Sequence, residues 1–316
     1  DHRRGEAVRR ADDPGGEDAA AGAAGDVEAV FVDPAARDRA EQPPFYLYLH
    51  VTDPHAPYTP HEPFLTRFAA DARPELGLLE TVRAIDNHER PAGAQEAREL
   101  LALYNAEVAF TDHHFGRLID HLKELGLYDS MAILVISDHG EEFLEHGEWE
   151  HGATLYEEQL RVPMILKLPS GRWGGQALDV RAGQVDVMPT LLDALGLEVP
   201  PGLDGRSLLP AIRGVDSEGG AVTLAYLALE GRDKRSLVID DFKLISDAHS
   251  VDLLFDLEED AGERHNLAPL RTFDKGRLSQ TLRGLEWRLA SGGRSAEQVE
   301  IDPELRKQLE ALGYLQ

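Results

Sequence analysis

Met131-Ala-Ile-Leu-Val-Ile-Ser-Asp-His-Gly-Glu-Glu142 runs through six apolar residues and then turns polar, with a carboxylate and an imidazole side by side at Asp138 and His139. An apolar run of this length without alternation reads as a strand covered on both faces. Phe45-Tyr-Leu-Tyr-Leu-His-Val51 reads the same way and is followed by its own polar tripeptide, Asp53-Pro54-His55. Val162 to Leu168 supplies a third strand. Ahead of Met131, the stretch from Ala94 to Leu125 carries Leu101, Tyr104, Val108, Thr111, Phe115, Leu118, Leu122 and Leu125 in steps of three and four. That spacing draws one stripe down a helix, and Gly126 stops it. Strands alternating with helices define an α/β class with a mainly parallel sheet flanked by helices. Ligands bind such sheets beyond the carboxyl ends of strands, where both tripeptides fall.

Outward from this core the texture changes twice. Residues 1 to about 26 are rich in Ala, Gly, Asp and Arg without apolar periodicity and read as poorly ordered. Val27 to Asp38 is a candidate short helix, so residues 1–43 form a lead-in to an α/β core over 44–213. That core should include a helix from Val185 to Leu195, with Pro189 near its start. Beyond it, Ser236–Ile239, Phe242–Ser246 and Leu253–Leu257 are short strand candidates, with Asp240-Asp241 as a turn. Helical patterns over Gly276–Leu289 and Pro303–Leu312 close the chain, giving a smaller α+β subdomain over 214–316.

A chain of 316 residues can bury one large core, or a main domain with a small appendage. Its net charge of -26 argues against nucleic acid as a partner, because a phosphate backbone is bound through clustered Lys and Arg. Acidity of this size serves solubility and helps recruit a cation. No apolar stretch approaches the roughly 18 residues of a membrane span. The absence of cysteine excludes disulfides, a thiolate nucleophile and thiolate metal sites within these residues. The sequence opens on Asp1 without a signal-peptide pattern, so any targeting segment would lie upstream.

The chemistry concentrates in loops. Prolines on both sides of His55 stiffen the backbone that aims its imidazole, although a loop histidine capping a backbone group would look the same. Asp138 and His139 can reach one point if Gly140 relaxes the backbone, as a divalent cation requires; the alternative is a helix-capping Asp beside an exposed His. His146-Gly-Glu-Trp-Glu-His-Gly152 does not place its two histidines on one helix face, and reads as a loop close to a ligand. From Asp138 to Glu150 there are six carboxylates and no Lys or Arg, a field that favours a cation unless it is simply a solvated acidic loop. His113 and His114 read as surface or packing residues of the long helix. His61, His88, His249 and His265 have no company in the sequence.

Taken in order, these segments resemble the sulfatase family of the alkaline-phosphatase-like superfamily. The resemblance is carried by Phe45 to Tyr58, by Tyr104-Asn-Ala-Glu-Val-Ala-Phe-Thr-Asp112 with Gly116-Arg-Leu118, and by Ile136-Ser-Asp-His-Gly-Glu141. It continues through His151-Gly-Ala-Thr-Leu-Tyr-Glu-Glu158, Arg161-Val-Pro163, Asp186-Val-Met-Pro-Thr-Leu-Leu-Asp193 and Leu254-Phe-Asp-Leu257, with Glu263 and Asn266-Leu267. It implies an alkaline-phosphatase-like fold and divalent-metal-dependent hydrolysis of a sulfate monoester. Asp138 and His139 would be metal ligands, with calcium the expected ion and manganese or zinc as alternatives. His55 would bind a sulfate oxygen and protonate the departing alcohol. His151 stands where many members have Lys, and would bind substrate and share in catalysis.

The family's Cys- or Ser-x-Pro-x-Arg segment, source of the formylglycine nucleophile, is not in this sequence. The resemblance therefore implies a fragment whose N-terminal portion is missing, with no nucleophile of its own. Alternatives within the superfamily are a phosphodiester or phosphonate monoester hydrolase and a phosphoethanolamine-type transferase. From another class, the alternative is a non-catalytic fragment or pseudoenzyme. The family leans towards a periplasmic or extracellular location, with a cytoplasmic one left open.

Overall fold

The structure is a computed structural model that describes residues 28–31, 45–215, 222–229 and 231–291. The chain divides into two compact units, Asp1–Ser217 and Glu218–Gln316.

In the first unit the elements run β1 (Glu28–Phe31), β2 (Leu47–His50), α1 (Phe64–Phe68), α2 (Leu79–Asp86), α3 (Ala94–Glu124) and β3 (Ile133–Ile136). There follow β4 (Glu142–Phe143), β5 (Trp149–Glu150), α4 (Glu157–Leu160), β6 (Met164–Lys167), α5 (Val187–Ala194) and α6 (Leu209–Ile212). The mixture of helix and sheet is that of an α/β protein. Its described strand pairs, however, are all antiparallel rather than mainly parallel: β1 with β2, β3 with β6, and β4 with β5. The link from Ile136 to Met164 explains one of them. It holds a two-residue ladder and a single helical turn instead of a helical crossover, so β6 returns against β3 in the opposite sense. Residues 28–31 lie in a strand, where a helix was expected; their register pairs Glu28 with His50 and Phe31 with Leu47. The rest of the expected Val27–Asp38 helix lies outside the described residues, as does Pro303–Leu312.

The strands expected to be covered on both faces are only half covered. All four residues of β3 are half-buried, and Tyr46 and Ile165 are 69% and 62% exposed. Among the described residues β2 and β3 each have one strand neighbour, which leaves their other edges unpaired.

The core of this unit lies instead between α3 and the segments that flank it. Leu76, Val82, Ile85, Leu100, Leu103, Ala106 and Tyr58 are buried together. This turns α3 relative to the stripe read from sequence: Leu101 and Val108 are exposed, and the inward face is Ala97, Leu100, Leu103, Ala106 and Glu107. The helix has apolar residues on two sides, and periodicity alone cannot say which side meets the core. At its start, the Glu96 carboxylate accepts the Gly93 amide at 3.1 Å. One turn on, Arg73 grips Glu99 through two guanidinium bonds of 2.8 and 2.9 Å and holds that carboxyl down to about 2.

The second unit is a four-stranded antiparallel sheet of β7 (Thr223–Leu229), β8 (Arg232–Ile239), β9 (Phe242–Asp247) and β10 (Leu253–Asp256), in the order β10-β9-β8-β7. The Asp240-Asp241 turn joins β8 to β9, as expected; β7 was not foreseen. Helix α7 (Thr272–Ser291) lays Leu278 and Leu282 on Leu237, Leu244 and Leu254. Within this unit Lys243 and Glu263 form a wholly buried pair, Nζ to Oε1 2.9 Å. Removing one partner strands a charge away from water, which costs about 3–5 kcal/mol. Lys243→Met should therefore lower unfolding stability by about that amount, and Lys243→Met with Glu263→Leu by clearly less. Urea denaturation of the single and double variants measures both.

Candidate functional site

The loop after β2 brings His55 forward and fixes it locally. Its amide donates to the Thr52 carbonyl at 2.8 Å, and its ring nitrogen Nδ1 lies 2.8 Å from the Ala56 carbonyl oxygen. A carbonyl only accepts, so Nδ1 carries the proton and Nε2 keeps the lone pair while the ring is neutral. Further on, Tyr58 is buried, packs edge-on against Tyr104 at 5.9 Å, and donates its amide to the Gly77 carbonyl at 2.8 Å. A Cβ on Gly77 would lie 2.0 Å from the Tyr58 carbonyl oxygen, so the loop closes on this position only if it is glycine.

The loop after β3 is organised in the same manner. The His139 amide donates to Asp138 Oδ1 at 3.0 Å, and the Ser137 hydroxyl donates to the His139 carbonyl at 2.7 Å. Gln184 donates to the carbonyls of Ser137 and Asp138 at 3.1 and 2.6 Å. His139 Nδ1 donates to the Gly140 carbonyl at 2.8 Å, which again leaves Nε2 as the acceptor. Gly140 is needed for space rather than for backbone relaxation. A Cβ there would sit 2.0 Å from the Glu158 carbonyl oxygen, and its amide donates to the Gln159 carbonyl at 2.8 Å.

His151 completes the group. Its Nδ1 lies 2.9 Å from Glu141 Oε1, while the other oxygen of that carboxylate accepts the Tyr58 hydroxyl at 2.9 Å. Burial draws the His151 pKa down, but the Glu141 hydrogen bond and the charges of Glu141, Glu150 and Asp138 outweigh it. The net result is a pKa above that of an ordinary imidazole. The His151 ring stacks on His139 at 3.8 Å and meets His55 edge-on at 5.1 Å. Three imidazoles from three separate segments thus converge, with Asp138, 61% exposed, beside them and its Oδ2 3.8 Å from His139 Nε2.

The acidic run between them is not a solvated loop. Glu142 is wholly buried and accepts the amides of His146 and Glu148, the Thr154 hydroxyl and the Gln159 amide group, at 3.0, 2.9, 3.0 and 3.1 Å. Glu150 is pushed up to about 7 by burial and by the carboxylates of Asp86 and Glu141. His146 pairs with Glu158 at 2.5 Å and stacks on Tyr156 at 3.6 Å. Sequence reasoning passed over Glu141 and Glu142 as individuals. The available signal was their position directly after a strand end, where a carboxylate can turn inward. His61, for which no company was expected, stacks on Phe110 at 4.4 Å, and Phe110 meets His114 at 4.4 Å.

The mixed helix and sheet of this unit agrees with the alkaline-phosphatase-like fold of the solved structures it resembles. The sulfatase family model matches residues 22–197, and the model for the C-terminal region of N-sulphoglucosamine sulphohydrolase matches 145–286. The chain belongs to the sulfatase family. Choline-sulfatase of Rhizobium meliloti is 30% identical over 271 residues, covering 79% of this chain and 52% of its own. The multifunctional alkaline phosphatase superfamily protein PehA of Trinickia caryophylli is 28% identical over 305 residues, covering 83% and 59%. Among solved structures, the putative sulfatase yidJ from Bacteroides fragilis superposes with a TM-score of 0.60 at 22% identity, over 79% of this chain and 54% of that one. The phosphonate monoester hydrolase SpPMH from Silicibacter pomeroyi gives 0.58 at 26% identity, over 78% and 51%. The chain spans about half the length of the curated relatives it matches.

The four donors around Glu142 make it the strongest single test of this arrangement. Glu142→Gln would turn an amide N–H towards groups that themselves donate, at a cost of about 2–4 kcal/mol. Urea unfolding should show that loss, and limited proteolysis should open the segment between Phe143 and Gly152 before the rest of the unit.

Proposed function

We propose that this chain provides the anion-holding and proton-donating side of a hydrolase acting on sulfate monoesters. The convergence of His55, His139 and His151 carries the reading. His151, tied to Glu141 and inclined to keep its proton, offers Nε2–H to a sulfate oxygen. His55, held through Nδ1, presents Nε2 towards the same place; when protonated it can bind a second oxygen and pass its proton to the departing alkoxide.

Asp138 and His139 Nε2 fit the first two positions of a divalent-cation shell, a carboxylate and an imidazole whose Nδ1–H is already committed to a carbonyl. No cluster of three or more ligating side chains occurs among the described residues, so further ligands would be needed to complete such a shell. Calcium suits a shell completed by carboxylates, manganese or zinc one with more imidazole. Such a cation would neutralise charge on the ester oxygens. The formylglycine nucleophile has no source in these residues, which contain neither cysteine nor Ser-x-Pro-x-Arg.

A second reading is hydrolysis of phosphodiesters or phosphonate monoesters, favoured by the likeness to SpPMH. Imidazole donors serve a phosphoryl oxygen equally well. The two readings separate by titrating the protein with 4-nitrophenyl sulfate and with phenyl phenylphosphonate while following histidine side-chain NMR signals. Sulfate ester hydrolysis predicts tighter binding of the sulfate, with His55 and His151 signals moving together. Each charge-assisted hydrogen bond is worth about 1.5–3 kcal/mol, so His55→Ala should weaken binding tenfold or more. The purified chain should show no turnover of 4-nitrophenyl sulfate. Turnover abolished by His55→Ala would overturn that expectation.

A further inference from the structure

Helix α4 buries an uncharged polar side chain, Gln159, which is 4% exposed. An amide is tolerated away from water only where its donors and acceptors are met. Those of Gln159 are. Nε2 donates to Glu142 Oε2 at 3.1 Å and to the Thr154 hydroxyl oxygen at 2.7 Å. Oε1 accepts the Gly152 amide at 3.2 Å. The backbone carbonyl accepts the Gly140 amide at 2.8 Å, and the backbone amide donates to the Tyr156 carbonyl at 3.0 Å. A carboxylate only accepts and a backbone amide only donates, so these partners fix which end of the side-chain amide faces which.

Gly140 directly follows His139, and Gly152 directly follows His151. Gln159 therefore takes one amide from each of the two turns whose imidazoles stack at 3.8 Å. The neighbouring Glu158 carbonyl closes on Gly140 as well, at the place a Cβ would occupy. Glu141 ties the His151 ring by its Nδ1, whereas Gln159 ties the two backbones. The His139 ring is bonded to the Gly140 carbonyl, so a displacement of Gly140 carries the ring with it.

We propose that Gln159 is a positioning residue that sets the spacing between the His139 turn and the His151 turn. The inference rests on the reading of these two imidazoles as cation- and anion-holding groups for its purpose, but the tie itself can be tested without any activity. It needs an acceptor for Gly152 and a donor for Glu142 at the reach of a glutamine. Met keeps the length and volume and supplies neither. Asn keeps both groups but withdraws them by one methylene. Thr154→Val removes another donor to Glu142 and leaves both glycine contacts in place, so it separates a weakened Glu142 network from a lost tie.

The readouts are amide hydrogen exchange and nuclear Overhauser cross-peaks between ring protons, on the full chain. In the wild type the Gly140 and Gly152 amides should both exchange slowly, and the His139 and His151 rings should show cross-peaks. In Gln159→Met the Gly152 amide should exchange about tenfold faster or more, the loss of one buried hydrogen bond. The Gly140 amide, bonded to the backbone of position 159, should stay protected, while the His139–His151 cross-peaks weaken. The His146–Tyr156 stack at 3.6 Å, beside the start of α4, should keep its cross-peaks in every variant. Thr154→Val should match the wild type in all of these. Unchanged Gly152 exchange or unchanged His139–His151 cross-peaks in Gln159→Met would overturn the proposal, as would loss of the His146–Tyr156 cross-peaks along with them. Should Gln159→Met fail to fold, Gln159→Asn decides the matter on the same outcomes. A second arm measures inorganic sulfate affinity, which should fall about tenfold in Gln159→Met and be kept in Thr154→Val. Sulfate affinity that stays unchanged while the His139–His151 cross-peaks weaken would overturn the positioning role. If the wild type binds no sulfate but exchange and cross-peaks respond as stated, the functional reading fails while the tie stands.

Discussion

The Glu141 carboxylate holds together the loop that carries His55 and the segment that carries His151. One of its oxygens takes the Tyr58 hydroxyl, across 83 residues of sequence, and the other takes the His151 ring. Its side chain is 5% exposed, so both bonds form in a medium that water does not weaken. A buried carboxylate is tolerated only when its lone pairs are met, and here meeting them requires the His55 loop and the His151 segment to stand at fixed positions. The constraint runs both ways. Losing either donor would leave the charge under-satisfied, and losing the charge would release two loops at once.

Glu142 repeats this logic one residue later with four donors in place of two. Together these adjacent residues explain how a site can be built at strand ends when the strands are only four residues long and half-covered. The two-residue ladder of β4 with β5 adds little stiffness of its own. The stiffness comes from side-chain acceptors that gather backbone amides from loops, and from glycines that admit another backbone within van der Waals range. The acidic run is therefore an internal scaffold at two of its positions, and contributes to the field around the imidazoles at Asp138, Glu141 and Glu150.

His55, His139 and His151 share one device. Each donates Nδ1–H, to a carbonyl in two cases and to a carboxylate in the third. The difference in acceptor separates their chemistry. A carbonyl fixes the ring's orientation and leaves Nε2 as the acceptor. A carboxylate stabilises the imidazolium, and the His151 pKa is raised accordingly. Glu141 supplies what keeps the His151 ring inclined to stay protonated.

Much of this was legible in the residues taken in order. Apolar runs ending in Asp53-Pro54-His55 and Asp138-His139-Gly140 located the two strand-end loops, because an apolar run that turns polar marks where a strand stops. The long helix was equally plain in its extent, since spacing of apolar residues encodes periodicity. Which face of α3 turned inward was not legible. Apolar residues occur on two of its sides, and the choice fell to contacts with residues 58 to 85. The antiparallel pairing of β3 with β6 was set by the path of the link between them, which leaves no mark on either strand's composition. So it was with Glu141 and Glu142: a glutamate reads as surface until tertiary structure brings donors to it. Sequence by itself determined the family, because that depends on residue type and order. Tertiary structure alone decided that the three imidazoles meet, because they come from segments distant in the chain.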